Sequence, residues 1–146
     1  MMRTLLLFVS LLCSGIVQAV ELDLTPYKGK VVYVDLWASW CIPCRASFPW
    51  MEQLHQDLEK AGLVILAVNT GDDPVDAARF LESTKPSFKI ITDREGDIAK
   101  SLSAKGMPFS VLFDRNGKRV GSHTGFRMKD APGMRKSIES LLAGDK

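Results

Sequence analysis

Net charge is nearly absent from this sequence. The 19 Lys and Arg residues face 17 Asp and Glu, leaving a formal +2 at pH 7. The charges are interspersed, with no long run of one sign, which argues against a nucleic-acid or anionic-membrane surface and for an ordinary solvated one. Low-complexity tracts and internal repeats are missing too. What remains is a globular composition, 46% hydrophobic and 25% charged over 146 residues, the size of one domain. Cysteine is scarce: the chain has only Cys13, Cys41 and Cys44. Small secreted domains held by disulfides carry several widely spaced cysteines, and this chain is long enough to bury a core without them. Histidine is scarcer still, with His55 and His123 far apart. A zinc site would need a second C-x-x-C or a His pair, and haem attachment would need His where Arg45 follows Cys44. Neither histidine sits in a motif, and neither is given a role.

Long apolar runs are confined to the N-terminus. Met1-Met2-Arg3 is a short basic start, Leu5 to Leu12 is apolar, and Val17-Gln18-Ala19 has short residues where a signal peptidase reads. This pattern predicts a secretory signal peptide over residues 1–19, cleaved after Ala19, ahead of a domain over residues 20–146. Cleavage would remove Cys13 and Arg3, leaving one cysteine pair and a formal +1. The alternative is a domain tethered by an uncleaved N-terminal segment. Thr4 to Val20 is near the lower limit for a membrane span and contains Ser10, Ser14, Gly15 and Gln18, which favours cleavage. Lipidation at Cys13 is disfavoured by Leu12, which is not small.

The remaining pair lies in Trp37-Ala38-Ser39-Trp40-Cys41-Ile42-Pro43-Cys44, where an apolar run ends and a helical pattern begins. The first sulfur is therefore expected at a helix start, where free N–H groups and the helix dipole favour a thiolate, the reactive form. A bridge across two intervening residues restrains the unfolded chain little. The pair is better explained by thiol–disulfide chemistry than by stability.

Periodicity supplies the surrounding order. Glu21 to Leu24 alternates as a short strand would. Val31 to Trp37 has the composition of a strand buried on both faces, interrupted by one charge, Asp35. Buried without a partner, that carboxyl should have a raised pKa. A helix is expected from Ile42 to about Lys60, kinked at Pro49 and ended by Gly62. Strand Leu63–Val68 follows, then a helix to Thr84 with Asp73 as N-cap and Pro74 in its first turn. A strand at Phe88–Ile91, a turn at Asp93–Gly96 and a short helix at Asp97–Leu102 come next. Strand Phe109–Phe113, the Asp114-Arg115-Asn116-Gly117 hairpin turn, edge strand Lys118–Thr124 and an amphipathic helix bearing Met134, Ile138, Leu141 and Leu142 complete the chain. This order predicts an α/β fold, a mixed central sheet with helices on both faces.

The segment from Val34 to Cys44 resembles the active-site strand and helix start of the thioredoxin superfamily. Pro49 matches its kink proline, and Gly106-Met107-Pro108 is similar to its cis-proline loop. The insertion from Asp73 to Ile91, the Asp93-to-Leu102 segment and the Phe113–Gly117 hairpin resemble the secreted TlpA/ResA branch. The resemblance spans residues 20–146 and implies a thioredoxin-like fold and thiol–disulfide oxidoreductase activity.

It also implies roles. Cys41 would attack a partner disulfide and Cys44 would resolve the mixed disulfide. No bound cofactor would be needed beyond the Cys41–Cys44 disulfide. Asp35 would be the buried acid that relays a proton to or from Cys44; TlpA-type proteins often carry another residue there. Trp40 would shield Cys41 and, with Pro43, Met107 and cis Pro108, form the substrate-binding surface; Met107 departs from the β-branched residues usual before that proline. Trp37, Trp50 and Phe126 read as packing or surface residues. Ile42-Pro43 lacks the histidine that stabilises the thiolate in strongly oxidising members, so a disulfide reductase is expected. It would work in the periplasm as a monomer, on protein thiol or disulfide clients, fed by a membrane thiol reductase. Two other readings use the same fold: a client- or metal-binding module with incidental cysteines, and a thiol peroxidase, against which the W-C-x-P-C context argues.

Overall fold

The computed structural model describes residues 21–144. The expected signal peptide and Cys13 lie outside them. Strand β1 (Val31–Trp37) has every residue buried, as its unbroken apolar composition requires. It is the centre of a five-stranded sheet. Parallel to it runs β2 (Leu63–Thr70), which in turn pairs in parallel with β3 (Lys89–Asp93). On its other side β4 (Phe109–Phe113) runs antiparallel and pairs with edge strand β5 (Arg119–Thr124). The order is β3-β2-β1-β4-β5, a mixed sheet as expected.

Among the described residues, α1 (Ile42–Leu58), α2 (Pro74–Thr84) and α3 (Asp97–Ser101) connect these strands, and α4 (Ala131–Ala143) follows β5. Alternate side chains of a strand point to opposite faces. Val31, Tyr33 and Trp37 enter a core with Phe48, Met51 and Leu54 of α1, Phe80 of α2 and Ile138 of α4. Val32, Val34 and Leu36 enter a second core with Ile98 of α3. Helices therefore cover both faces, with the larger layer over the face that also carries Asp35.

Aromatic packing seats α1. Phe48 lies edge-on to Trp37 at 4.9 Å between ring centroids, and to Phe80 and Phe88 at 4.8 and 5.5 Å. Such contacts add to area burial and hold ring orientations. They fix the first turns of α1 against the end of β1, where the cysteines lie.

Local signals placed most elements within a few residues. Asp73 caps α2 by accepting from the amides of Val75 and Asp76. Two expectations are corrected. Glu21–Leu24 is not a strand: Leu22 and Leu24 pack against the second core with no sheet partner among the described residues, and a 3₁₀ turn follows at Thr25–Tyr27. Asp93 is not in a turn but ends β3. Its carboxylate accepts from the Thr70 hydroxyl and from the amides of Ile98 and Ala99, so it also caps α3.

Candidate functional site

The chain leaves β1 at Trp37 and enters α1 at Ile42. Cys41 is the N-cap residue, extended at φ −84° and ψ 106°. An N-cap is normally an oxygen side chain accepting an orphan amide. Here sulfur does so: the Cys44 N–H donates to Cys41 Sγ over 3.3 Å. Pro43, in the first turn, has no N–H to leave unpaired. The two sulfurs are joined as a disulfide, with the Cα atoms 5.3 Å apart. Cys41 is 4% exposed and Cys44 0%, so the first sulfur is the more accessible, as expected, although both are largely covered.

The residues around the pair differ sharply in exposure. Trp40 and Ile42 project outward, 63% and 80% exposed, and Pro43 is exposed as well. Trp37 is fully buried. The Trp40 indole N–H points at the Gly71 carbonyl at 3.5 Å, which keeps the ring at the rim of the disulfide. Met107 is half-buried and packs on the core cluster that holds both cysteines, ahead of buried Pro108. The Met107–Pro108 peptide is cis. The Pro108 carbonyl accepts from Gly125 N–H at 2.8 Å, tying this loop to the end of β5.

Asp35 lies between Tyr33 and Trp37 on the face beneath α1, 2% exposed. Among the described residues its Oδ2 has no hydrogen-bond partner. Burial pushes its pKa well above the ordinary carboxyl value. Tyr33, one pleat along, is likewise pushed well up, by burial and then by the nearby Asp35 charge, with Ser110 opposing. A carboxyl on the face beneath α1 whose pKa is raised can take up or release a proton when the local charge changes.

One arrangement has no local signal in the sequence. Asp72, in the loop after β2, accepts from Ser39 N–H at 2.6 Å and Ser39 Oγ at 2.8 Å, and from Asn69 Nδ2 at 2.8 Å. Arg45 Nε donates to the Ser39 carbonyl at 3.0 Å. These bonds latch the Ser39–Trp40 turn to β2. Partial burial alone would raise the Asp72 pKa, but its hydrogen bonds outweigh this and hold it below the ordinary value. Asp72→Ala is expected to cost about 2 kcal/mol, since bonds to a charged acceptor contribute roughly 1.5–3 kcal/mol. Because the folded pKa is lowered, that contribution is present above the unfolded value and is lost as pH falls through the folded one. Urea titrations at neutral and acid pH should show the wild-type advantage shrinking below about pH 4.

Among the described residues no group of three or more His, Cys, Asp or Glu side chains is placed to hold a metal ion, and no helix is long and apolar enough to cross a membrane. The redox group is the protein's own disulfide.

The sequence pattern of the Redoxin family matches residues 9–142. Thiol-disulfide oxidoreductase ResA of Geobacillus thermodenitrificans (strain NG80-2) is 33% identical over 121 residues, covering 83% of this chain and 68% of that protein. ResA of Geobacillus kaustophilus (strain HTA426) is 33% identical over 110 residues, covering 75% of this chain and 63% of that protein. Among solved structures, a Chlorobium tepidum protein assigned as a thiol:disulfide interchange protein DsbE superposes with TM-score 0.79 and 41% identity, over 82% of this chain and 84% of its own.

Proposed function

The chain belongs to the Redoxin family, with the thioredoxin-like fold and cysteine pair of a thiol–disulfide oxidoreductase, and we propose that it works as a protein-disulfide reductase outside the cytosol. One observation carries the reading. Cys41 caps α1 with an amide on its sulfur, and Cys44 stands one turn on, over the face that bears the buried Asp35 carboxyl, whose Oδ2 has no partner among the described residues.

In the reduced protein, the Cys41 thiolate attacks one sulfur of a client disulfide. The client S–S bond breaks, the Cys41–client bond forms, and a client thiolate leaves. The amides of the first helical turn favour the Cys41 anion. Cys44 then gives its proton to Asp35 and attacks Cys41 Sγ. The Cys41–Cys44 bond forms and the second client thiolate leaves. Trp40, Ile42 and Pro43 supply an exposed apolar rim for the client. The Met107 backbone, in the bend before β4 and beside Pro108, is where a client segment would pair.

Direction follows from the residues between the sulfurs. Ile42 and Pro43 bring no cation to the thiolate, so the reduced form gains less and the disulfide is the more stable state. Returning the pair to dithiol requires a supply of electrons, and a membrane thiol reductase is the donor that the family resemblance implies. Export rests on residues 1–19, read as a signal peptide. The test is the equilibrium of the pair with a redox buffer. A reduction potential below about −200 mV is expected of a reductase, and one near −120 mV, typical of a strong oxidant, would refute the direction.

A further inference from the structure

We propose that His123, through Ser110 and the cleft between β5 and α4, exchanges the Asp35 proton with solvent during turnover. The inference rests on the reading of Asp35 as the proton acceptor of Cys44. That reading leaves a difficulty: Asp35 is 2% exposed. An acid that takes a proton in each cycle must pass it on, and a carboxyl sealed in a core has no direct contact with water.

Strand register supplies a path. Asp35 of β1 stands opposite Ser110 of β4, and Ser110 stands opposite His123 of β5. Directly opposed residues share a face of the sheet, with Cβ atoms roughly 4.5–5.5 Å apart. Acid, hydroxyl and imidazole therefore form one row across three strands, ending at the sheet edge. Next to this row, Tyr33 of β1 opposes Leu112, and the buried Tyr33 hydroxyl lies close enough to Ser110 to be influenced by it, while making no well-aligned hydrogen bond among the described residues. Tyr33, Ser110 and His123 all line a cleft of about 450 Å³ that α4 closes with Met134, Ser137 and Ile138. That is room for several waters at about 30 Å³ each. Buried hydroxyl and carboxyl oxygens without protein partners take water where space and further polar groups exist.

His123 suits the solvent end. Its side chain is 35% exposed, and the two ring nitrogens of an imidazole let it accept a proton on one side and donate one on the other. Asp130 Oδ2 lies 3.8 Å from His123 Nε2 and is itself held by Arg127. The charged and titratable groups that line the cleft with the imidazole are Asp130 and Lys129 from the α4 side and Tyr33 from the sheet, with Asp35 beyond Ser110 in the strand register. In each cycle Asp35 receives the Cys44 proton. The hydroxyl row then passes one proton outward, each oxygen accepting one and releasing one, and His123 delivers it to water. No electrons move along this path, so it sets the rate and leaves the reduction potential unchanged.

The experiment is steady-state reduction of a disulfide peptide by the full chain at low buffer strength, with an excess of dithiol re-reducing the pair so that Asp35 must clear its proton between turnovers. Wild type, His123→Ala and Asp35→Asn are compared with and without added imidazole. His123→Ala should be slower by about tenfold, a modest part of the usual general acid–base contribution. Imidazole should restore it to near the wild-type rate, and its reduction potential should match wild type. Asp35→Asn should be slow and should not respond to imidazole. A His123→Ala variant that keeps the wild-type rate while Asp35→Asn is slow overturns the route and leaves the role of Asp35 standing. A slow His123→Ala that imidazole does not restore also overturns it, because the loss is then structural. If both variants react at the wild-type rate, the reading of Asp35 falls, and the route with it.

Discussion

Cys41→Ser is expected to abolish disulfide reduction, by at least about 10³-fold in kcat/KM, since a hydroxyl with no base beside it is a poor nucleophile toward disulfide. The fold should survive the change. Cys41 contributes one N-cap acceptor, and serine is a good N-cap residue, so the Cys44 amide keeps a partner. Loss of activity with an intact helix start would separate chemistry from packing. Cys44→Ser should behave differently. It retains the attacking sulfur and should form the first bond to a client disulfide, then stall, because no thiolate stands one turn on to release it. Activity in a coupled insulin-reduction assay should be low for both variants, while covalent adducts should accumulate only with Cys44→Ser. Equal client binding by wild type and Cys41→Ser, with no turnover by either, would instead support a binding module.

Asp35→Asn should slow oxidation of the reduced protein by about 10²-fold at neutral pH, the low end of what a positioned proton acceptor contributes. The same change should stabilise the fold. Burial raises the folded pKa of Asp35 above its model value of 3.8. Between the unfolded and folded values the native state binds the proton more tightly, so stability falls as pH rises through that window. Above the folded value the full cost of the buried charge is present. Asn cannot titrate, so the variant should gain at least about 1 kcal/mol at neutral pH, the scale on which unpaired buried polar groups are felt. The gain should shrink as the pH is lowered toward 4, a value at which the unfolded carboxyl also takes its proton. Urea titrations across this range measure it. A variant that is both slower and more stable is the signature of a group kept for its chemistry. A variant that is less stable at neutral pH would mean that Asp35 has a structural partner.

The elements read correctly from sequence are those whose signals are local. Asp73-Pro74 states an N-cap and a first turn in adjacent residues, and α2 begins there. Phe109–Phe113 is bounded by Pro108 and by the Asp114–Gly117 turn, and β4 has those limits. The buried run Val31–Trp37 could only be a central strand. The position of Cys41 and Cys44 at the start of α1 was legible for the same reason, since strand pattern gives way to helix pattern there. Errors arose where the deciding partner was distant. Leu22 and Leu24 alternate like a strand, but no neighbouring chain offers them a ladder. Asp93 looks like a turn residue because its acceptors' partners, Thr70 and the α3 amides, are set by tertiary packing. The Asp72–Ser39 latch spans 33 residues. Ser110 and His123 carry no motif, and only the register of three strands aligns them with Asp35. Sequence thus shows which residues can do thiol chemistry, while strand register decides which groups stand beside them.

The central claim is that Cys41 is the sulfur that meets the client and Cys44 the one that releases it. The measurement that reaches it most directly is mass spectrometry of the adduct formed when reduced Cys44→Ser is mixed with a disulfide-bonded peptide. One peptide per chain, attached at Cys41 and removed by dithiothreitol, is the expected result. An unmodified Cys41, while Cys41→Ser forms its adduct at Cys44 and still turns over, would contradict the account.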